Sequence, residues 1–220
     1  MKYRFILILI TSSLIAHSQT LRQELLREEP KLEGLEIIKC KIDPTLFIVI
    51  REKQIGWWEN LSVIKFRKNK IIWKAKFDKL PTSQSIISAR QISLKGFKNP
   101  LIEIFDETHL GNGFYYLYEL NGKNLKQLVV TIAVDKNEDL ALEINNKNCS
   151  RLIKNKHLKP YYQDINKDGF VDLILKGKIQ IVGDNYLKEY FAQKVFIYDS
   201  SKKKFIENFK LRKGFELEDD

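Results

Sequence analysis

Apolar and polar residues alternate along most of the chain, which is the pattern of half-buried β-strands. Three stretches, at residues 35–77, 89–130 and 156–209, repeat one order of elements: a strand, a short polar link, a second strand and a hairpin. A weaker set of apolar segments fills residues 128–155. The pattern predicts a mainly β fold of antiparallel four-stranded, blade-like repeats, propeller-like and incomplete or open as a ring. A plain antiparallel sandwich built of hairpins is the alternative.

Two turns and one helix stand out within this pattern. "RKNK" at residues 67–70 separates two apolar runs, and Asn121-Gly122 does the same in the second unit, which predicts tight hairpins. A helical period occurs only in "TLRQELLREEPKL", where Leu21 and Leu25 fall on one side before Pro30. We therefore predict a short N-terminal helical segment at residues 19–34.

The first 18 residues have the layout of a secretory signal peptide. A basic start is followed by an apolar run from Phe5 to Ala16, and Ala16 and Ser18 are the small residues before a cleavage point after Ser18. An uncleaved anchor is the alternative, but the run is shorter than the ~20 residues that cross a bilayer. We expect an exported protein, periplasmic or extracellular, without a transmembrane segment after cleavage, in which one β-repeat domain (35–212) precedes an acidic tail (213–220).

Composition narrows the range of partners. The chain has 38 basic and 28 acidic residues and a formal net charge of +10. Lysines are scattered along it and no arginine cluster is present, so no nucleic-acid partner is predicted and the partner is an unidentified protein or polysaccharide. Cys40 and Cys149 are the only cysteines. In an oxidising compartment they form either a disulfide or two free buried thiols.

The stretch "DINKDGFVD" carries the clearest chemistry in the sequence. Oxygen-bearing side chains alternate along it, at Asp164, Asn166, Asp168 and Asp172, and Gly169 permits a sharp turn. This is the spacing at which a tight loop directs side-chain oxygens, together with the Phe170 carbonyl, toward one hard cation. Oxygen ligands favour Ca²⁺ over zinc or copper. A polar turn that binds nothing is the alternative.

The surroundings of this stretch differ from those of an EF-hand. Position twelve is Leu175 instead of a glutamate, and "VDLILKG" is a predicted strand. In this context the chain resembles the FG-GAP and VCBS repeats, the blades of integrin-like β-propellers, in which such a loop joins the first two strands. The resemblance implies that Asp164, Asn166, Asp168 and Asp172 supply side-chain ligands to calcium and Phe170 a carbonyl. The equivalent links in the other units lack the acidic residues, so one site is expected.

Other functional features are few. No phosphate-binding loop, serine-hydrolase elbow or zinc-binding His-Glu-x-x-His motif is present, so catalytic residues are not assigned and a non-catalytic role is favoured. Trp57 and Trp58 are candidate ligand-binding residues, because consecutive strand residues point to opposite faces and one of the two is expected to be exposed. The predicted function is a calcium-stabilised binding or scaffold module of the cell envelope or extracellular space. An extracellular hydrolase, or its accessory subunit, is the alternative.

Overall fold

The computed structural model of the chain describes residues 18–28, 34–54, 57–78, 85–107, 113–134, 141–144, 147–150, 158–183 and 186–213. Helix α1 covers residues 18–28. The first eight strands are β1 (Gly34–Lys39), β2 (Leu46–Gln54), β3 (Trp57–Arg67), β4 (Lys70–Phe77), β5 (Ser85–Ile92), β6 (Leu101–Glu107), β7 (Gly113–Asn121) and β8 (Asn124–Val134). The later elements are β9 (Ala141–Ile144), β10 (Lys147–Ser150), β11 (Lys159–Gln163), β12 (Asp172–Gly183), β13 (Tyr186–Asp199), β14 (Lys204–Glu207) and a 3-10 turn, Phe209–Leu211.

The first two units predicted from the sequence share one eight-stranded sheet. Its strand order is β1-β2-β3-β4-β8-β7-β6-β5, so each unit contributes four consecutive antiparallel strands. The halves meet where β4 and β8 pair in parallel, through Lys76 with Asn124 and Phe77 with Leu125. The sheet is therefore mixed, and the prediction of separate four-stranded blades is not met here, because the last strands of both units approach closely enough to pair.

The later residues that the structure describes form two smaller sheets. Strands β11 to β14 make a four-stranded antiparallel sheet in sequence order, and β9 and β10 make a hairpin from the weaker apolar segments. The described residues thus have a mainly β fold with one short helix, as the sequence predicted. The propeller-like arrangement of the strands stays a prediction.

Three apolar clusters show how the layers pack. Leu21 and Leu25 of α1 pack on one face of β2 and β3. The opposite face of these strands packs on the second half of the eight-stranded sheet, through side chains such as Ile48 and Ile104. The other face of that half, which includes Leu101, packs on β12 to β14. The order of layers is thus helix, first half-sheet, second half-sheet and four-stranded sheet.

Strand β6 lies between two of these clusters and is buried on both faces. Ile102 and Ile104 belong to the cluster with the first half-sheet, whereas Leu101 belongs to the cluster with the four-stranded sheet. Successive strand residues point to opposite sides of a sheet, so one short strand serves two cores. A polar side chain on β6 consequently has to find its partners inside the protein.

The predicted hairpin turns are confirmed, and so is an N-terminal helix, which covers residues 18–28, whereas Gly34 at the end of the predicted helical segment begins β1. Lys68 and Asn69 have φ values of 51° and 59° between β3 and β4, and Gly122 has a φ of 60° between β7 and β8. Positive φ at these central positions matches the twist of a two-stranded ribbon. Helix α1 buries Leu21 and Leu25 on the expected face. Within the described residues, no helix is long and apolar enough to cross a membrane.

Some predictions concern parts of the chain outside the described residues. The signal peptide lies there except for Ser18, and the acidic tail lies there except for Lys213, which pairs with Gln193. Both segments and the domain boundaries stay predictions. Cys40 is a free thiol, and burial, followed by the charge of Asp43, raises its pKa to about 12. The Cys149 side chain is outside the described residues.

Two aspartates fasten turns between neighbouring strands. Burial by itself raises the pKa of Asp43, but hydrogen bonds from the hydroxyl and amide of Thr45 leave that pKa below its usual value. Asp199 accepts from the hydroxyl of Ser201 at 2.6 Å and from the amide of Lys202 at 3.0 Å. These bonds lower the pKa of Asp199 to about 2, with the Ser201 hydroxyl as the largest cause.

Candidate functional site

The acidic loop, residues 164–172, joins the first two strands of the four-stranded sheet. The two carboxylate oxygens of Asp164 accept from the amides of Asp168 and Gly169, each at 3.1 Å. Lys167 and Gly169 have φ values of 61° and 92°, which turn the chain back toward Asp164. A glycine adopts such a value without strain, so Gly169 has the conformational role that the sequence predicted.

Asn166 and Asp168 complete the inner side of this turn. Asn166 Oδ1 accepts from the amide of Asp168 at 3.2 Å, so it shares that donor with Asp164. The Asn166 amide group donates to Asp168 Oδ2 at 2.9 Å, and Asp168 Oδ1 accepts from the Phe170 amide at 2.9 Å. The side chains of residues 164, 166 and 168 are thereby brought together, as the alternating pattern predicted.

Asp172 has a different environment from the other acidic residues of the loop. It is fully buried at the start of β12. One carboxylate oxygen accepts from the Ile165 amide at 2.8 Å, and the other accepts from the Tyr198 amide at 2.9 Å. A buried carboxylate needs such donors, and here they belong to the loop and to β13. Asp172 therefore fastens the loop to the neighbouring strand.

Phe170 connects the acidic loop to the other sheet. Its ring lies 5.9 Å from that of Phe97, on the β5–β6 connection, and 5.0 Å from that of Tyr198. Gly96 has a φ of 91°, and a Cβ at that position would lie 2.9 Å from Phe170 Cα. The amide of Val171 also donates to the Lys95 carbonyl at 3.3 Å. The acidic loop is thus in close contact with the second half of the eight-stranded sheet.

These contacts determine how the predicted ligands fit a cation. Asp164, Asn166 and Asp168 converge, and their oxygens accept amide hydrogens from the same short turn. Asp172 uses both oxygens to hold backbone amides. No group of three or more His, Cys, Asp and Glu side chains in the described ranges is placed to hold a metal ion. A calcium site at Asp164, Asn166, Asp168, Phe170 and Asp172 stays a prediction, and the first three of these residues are the ones whose side chains the turn brings together.

The tryptophan prediction concerns the start of β3. Trp57 pairs with Gln54 and Trp58 with Glu52, on either side of an irregularity in the β2–β3 register. An irregular register changes the direction of nearby side chains. The two side chains lie outside the described residues, so a ligand-binding role for Trp57 and Trp58 stays a prediction.

A second polar site, which the sequence did not predict, surrounds Glu103 on β6. Glu103 is 1% exposed. Its Oε1 accepts a hydrogen bond from Arg90 Nε on β5, and its Oε2 accepts from Tyr162 on β11 and from Tyr115, the latter at 3.2 Å. The two tyrosine hydroxyl oxygens are 2.8 Å apart. The cluster therefore joins the two sheets through one buried carboxylate.

The charges in this cluster are balanced internally. Burial, and then the nearby Tyr162 and Glu103, raise the pKa of Tyr115. Burial and then the Glu103 carboxylate raise the pKa of Tyr162, so both phenols keep their protons and donate. The hydrogen bond to Glu103 raises the pKa of Arg90, which stays a cation. An arginine and two phenols compensate one buried carboxylate, as such a group requires.

A groove of about 550 Å³ opens beside this cluster. We call it the edge groove; residues 88, 90, 103 and 105 line one side of it and residues 158–161 line the other. Strands β5 and β11, which supply part of each side, are the end strands of their sheets. The volume is in the range of small-molecule sites.

A charged residue within an apolar strand, as in "LIEIF", is the sequence signal that could have identified Glu103.

Comparisons of the chain with protein-family models, with characterised proteins and with solved structures gave no match.

Proposed function

We propose that the chain is an exported binding or scaffold module of the cell envelope or extracellular space, stabilised by calcium at the acidic loop. The observation that carries the proposal is the position of this loop between two sheets. Asp172 connects it to β13, and Gly96 and Phe170 make close contact on the other side. A cation that orders such a loop stabilises the packing of both sheets without taking part in chemistry.

The layered arrangement supports a propeller-like interpretation of the repeats. Each of the three units provides four consecutive strands, and these sets pack face to face in sequence order. The acidic loop lies between the first and second strands of the third unit, which is its place in the FG-GAP and VCBS repeats that the sequence resembles. Residues 164, 166 and 168 are the proposed side-chain ligands of Ca²⁺.

The alternative function, an extracellular hydrolase, receives less support from the edge groove. Glu103 is the one acidic residue among the described lining residues of this groove. Both of its oxygens already accept hydrogen bonds from Arg90 and two tyrosines. General acid–base hydrolysis of a glycoside typically uses two carboxyl groups that exchange protons with substrate or water. The arrangement around Glu103 is better suited to binding.

Thermal unfolding in EDTA and in calcium tests the proposal. With a Kd of about 0.1 mM, about 1 mM calcium stabilises the native state by about 1.4 kcal/mol. For a chain of this length, that gain raises Tm by roughly 3–6 °C. Magnesium should give a smaller shift, because it requires strict octahedral geometry and keeps several waters.

Two variants make the test specific. Asp168→Ala should abolish the calcium shift, because it removes a proposed ligand that is exposed and not part of the core. Asp199→Ala is the matched control, since Asp199 also caps a turn of the same sheet but lies in the β13–β14 hairpin, and it should keep the full shift. Superimposable wild-type melting curves in EDTA and calcium, without binding heat in calorimetry, would show that the acidic loop is only a polar turn.

A further inference from the structure

The described lining of the edge groove has two positively charged side chains, Arg90 and Lys159, and one carboxylate, Glu103. Lys159 on β11 lies directly opposite Lys176 on β12. Like charges at directly opposed positions repel each other. Among the described residues, no carboxylate forms an ion pair with either lysine. An anion bound near Lys159 would reduce this repulsion, and anion binding at this position is therefore favourable.

Arg90 adds a third cation to this region. Its side chain is 60% exposed, and Nε is held by the buried Glu103 carboxylate. The guanidinium group has four further N–H donors on its terminal nitrogens, and a pair of them matches the two oxygens of a carboxylate. Since Tyr115 and Tyr162 hold Glu103 in turn, Glu103 is a positioning residue that fixes Arg90 beside the groove.

The remaining lining is apolar and partly aromatic. Phe105, Leu158 and Pro160 line the groove together with Tyr161, whose side chain is half exposed. The Lys176 ammonium group lies 4.1 Å from the centroid of the Tyr161 ring. Ser88 contributes an exposed hydroxyl group on the opposite side. A ligand that suits this lining has a flat apolar face, hydroxyl groups and a negative charge.

We propose that the edge groove binds a carboxylate-bearing sugar, a uronic acid unit of an acidic polysaccharide. The carboxylate pairs with Arg90 and Lys159, and the C–H face of the sugar ring lies on Tyr161. The groove is open to solvent, so a polymer can extend beyond the unit that is bound there. This assignment rests on the proposed function as a binding module and names the class of its ligand.

Calorimetric titration with a short galacturonic acid oligomer tests the assignment. Two further probes match it: the same oligomer with its carboxyl groups reduced to alcohols, and a glutamate oligomer that has carboxylates on a peptide backbone. All titrations are made in EDTA, because calcium bridges uronic acids and because the result then does not depend on the acidic loop. The uronic acid oligomer should bind at least about tenfold more tightly than either probe, since a charge-assisted hydrogen bond is lost in one and the ring contact in the other.

Variants locate the binding at the groove. Lys159→Gln and Tyr161→Ser change exposed side chains and should each weaken binding by about tenfold, whereas Arg90→Gln should weaken it more. Lys41→Gln is the matched control, because Lys41 is an exposed lysine in the β1–β2 turn, on the first half-sheet. It should bind as wild type does. Circular dichroism establishes that each variant is folded.

Three results would overturn the assignment. They are no binding heat with the uronic acid oligomer, equal affinity for a control probe, and equal losses in Lys41→Gln and Lys159→Gln, which would show general attraction to the basic surface. The outcome is separable from the calcium test. A calcium shift without uronic acid binding would overturn the ligand class alone, and binding without a calcium shift would overturn the calcium site alone.

Discussion

Removal of the Asp172 carboxylate should separate the acidic loop from the strand beside it. Asp172 is fully buried, and its oxygens hold the amides of Ile165 and Tyr198. In Asp172→Ala both amide groups lose their acceptor, because the alanine side chain has no oxygen that could replace the carboxylate. The substitution should also disturb the apolar core, because the Tyr198 ring packs on Phe97 and Phe170.

The size of the effect follows from the burial of the two donors. An unsatisfied buried amide costs about 1–3 kcal/mol, so we assign about 2 kcal/mol to the buried Tyr198 amide and about 1 kcal/mol to the partly buried Ile165 amide. The total of about 3 kcal/mol lowers Tm by roughly 6–12 °C for a chain of this length. Asp172→Asn keeps one acceptor oxygen and should lose about half as much.

Urea unfolding followed by circular dichroism, with EDTA present throughout, measures this loss without any contribution from a cation. Asp168→Ala is the matched control, because it removes a carboxylate from the same loop at an exposed position, and it should cost about 1 kcal/mol or less. If Asp172→Ala costs no more than Asp168→Ala, Asp172 does not hold the loop to β13, and its burial has another explanation.

Two further predictions concern backbone geometry and acid stability. Gly96→Ala should lower the free energy of unfolding in urea by about 2–4 kcal/mol, since its Cβ would lie 2.9 Å from the Phe170 Cα. Gly122→Ala should cost about 1 kcal/mol, because no atom lies within 4 Å of the added Cβ. Equal losses in the two variants would contradict the close contact between Gly96 and Phe170. Folding lowers the pKa of Asp43 and lowers that of Asp199 to about 2, so their contribution to stability is fully present above the unfolded pKa of about 3.9 and is lost as the pH falls through the folded pKa values. Between those pH values the wild-type Tm should fall more steeply than that of the Asp43→Asn, Asp199→Asn double variant, and parallel pH curves would refute this.

The sequence predicted the elements of the fold because they depend on local interactions. Alternation of apolar residues determines which faces of a strand are buried, and Asn69 and Gly122 permit the turn geometry that closes a hairpin. Leu21 and Leu25 are one helical turn apart, which was sufficient to predict the apolar face of α1. The convergence of residues 164, 166 and 168 likewise depends only on a short turn.

The pairing of β4 with β8 could not be predicted in this way. The strands that meet there are about fifty residues apart in the chain, and only two residue pairs join them. Alternation specifies the two faces of a strand but not which strand lies beside its edge. Close approach of the two half-sheets therefore decided that the first two units form one mixed sheet.

The roles of individual polar residues were decided by tertiary structure as well. The sequence predicts Asp172 as one of four side-chain ligands, and packing of the sheets decides that it is buried and accepts hydrogen bonds from two backbone amides. Glu103 acquires its partners from strands up to 59 residues away, when β6 and β11 come together. The chain by itself determined the strands, the turns and the polar loop; only the packing of layers decided which carboxylates became buried anchors, because burial is a property of what covers a residue.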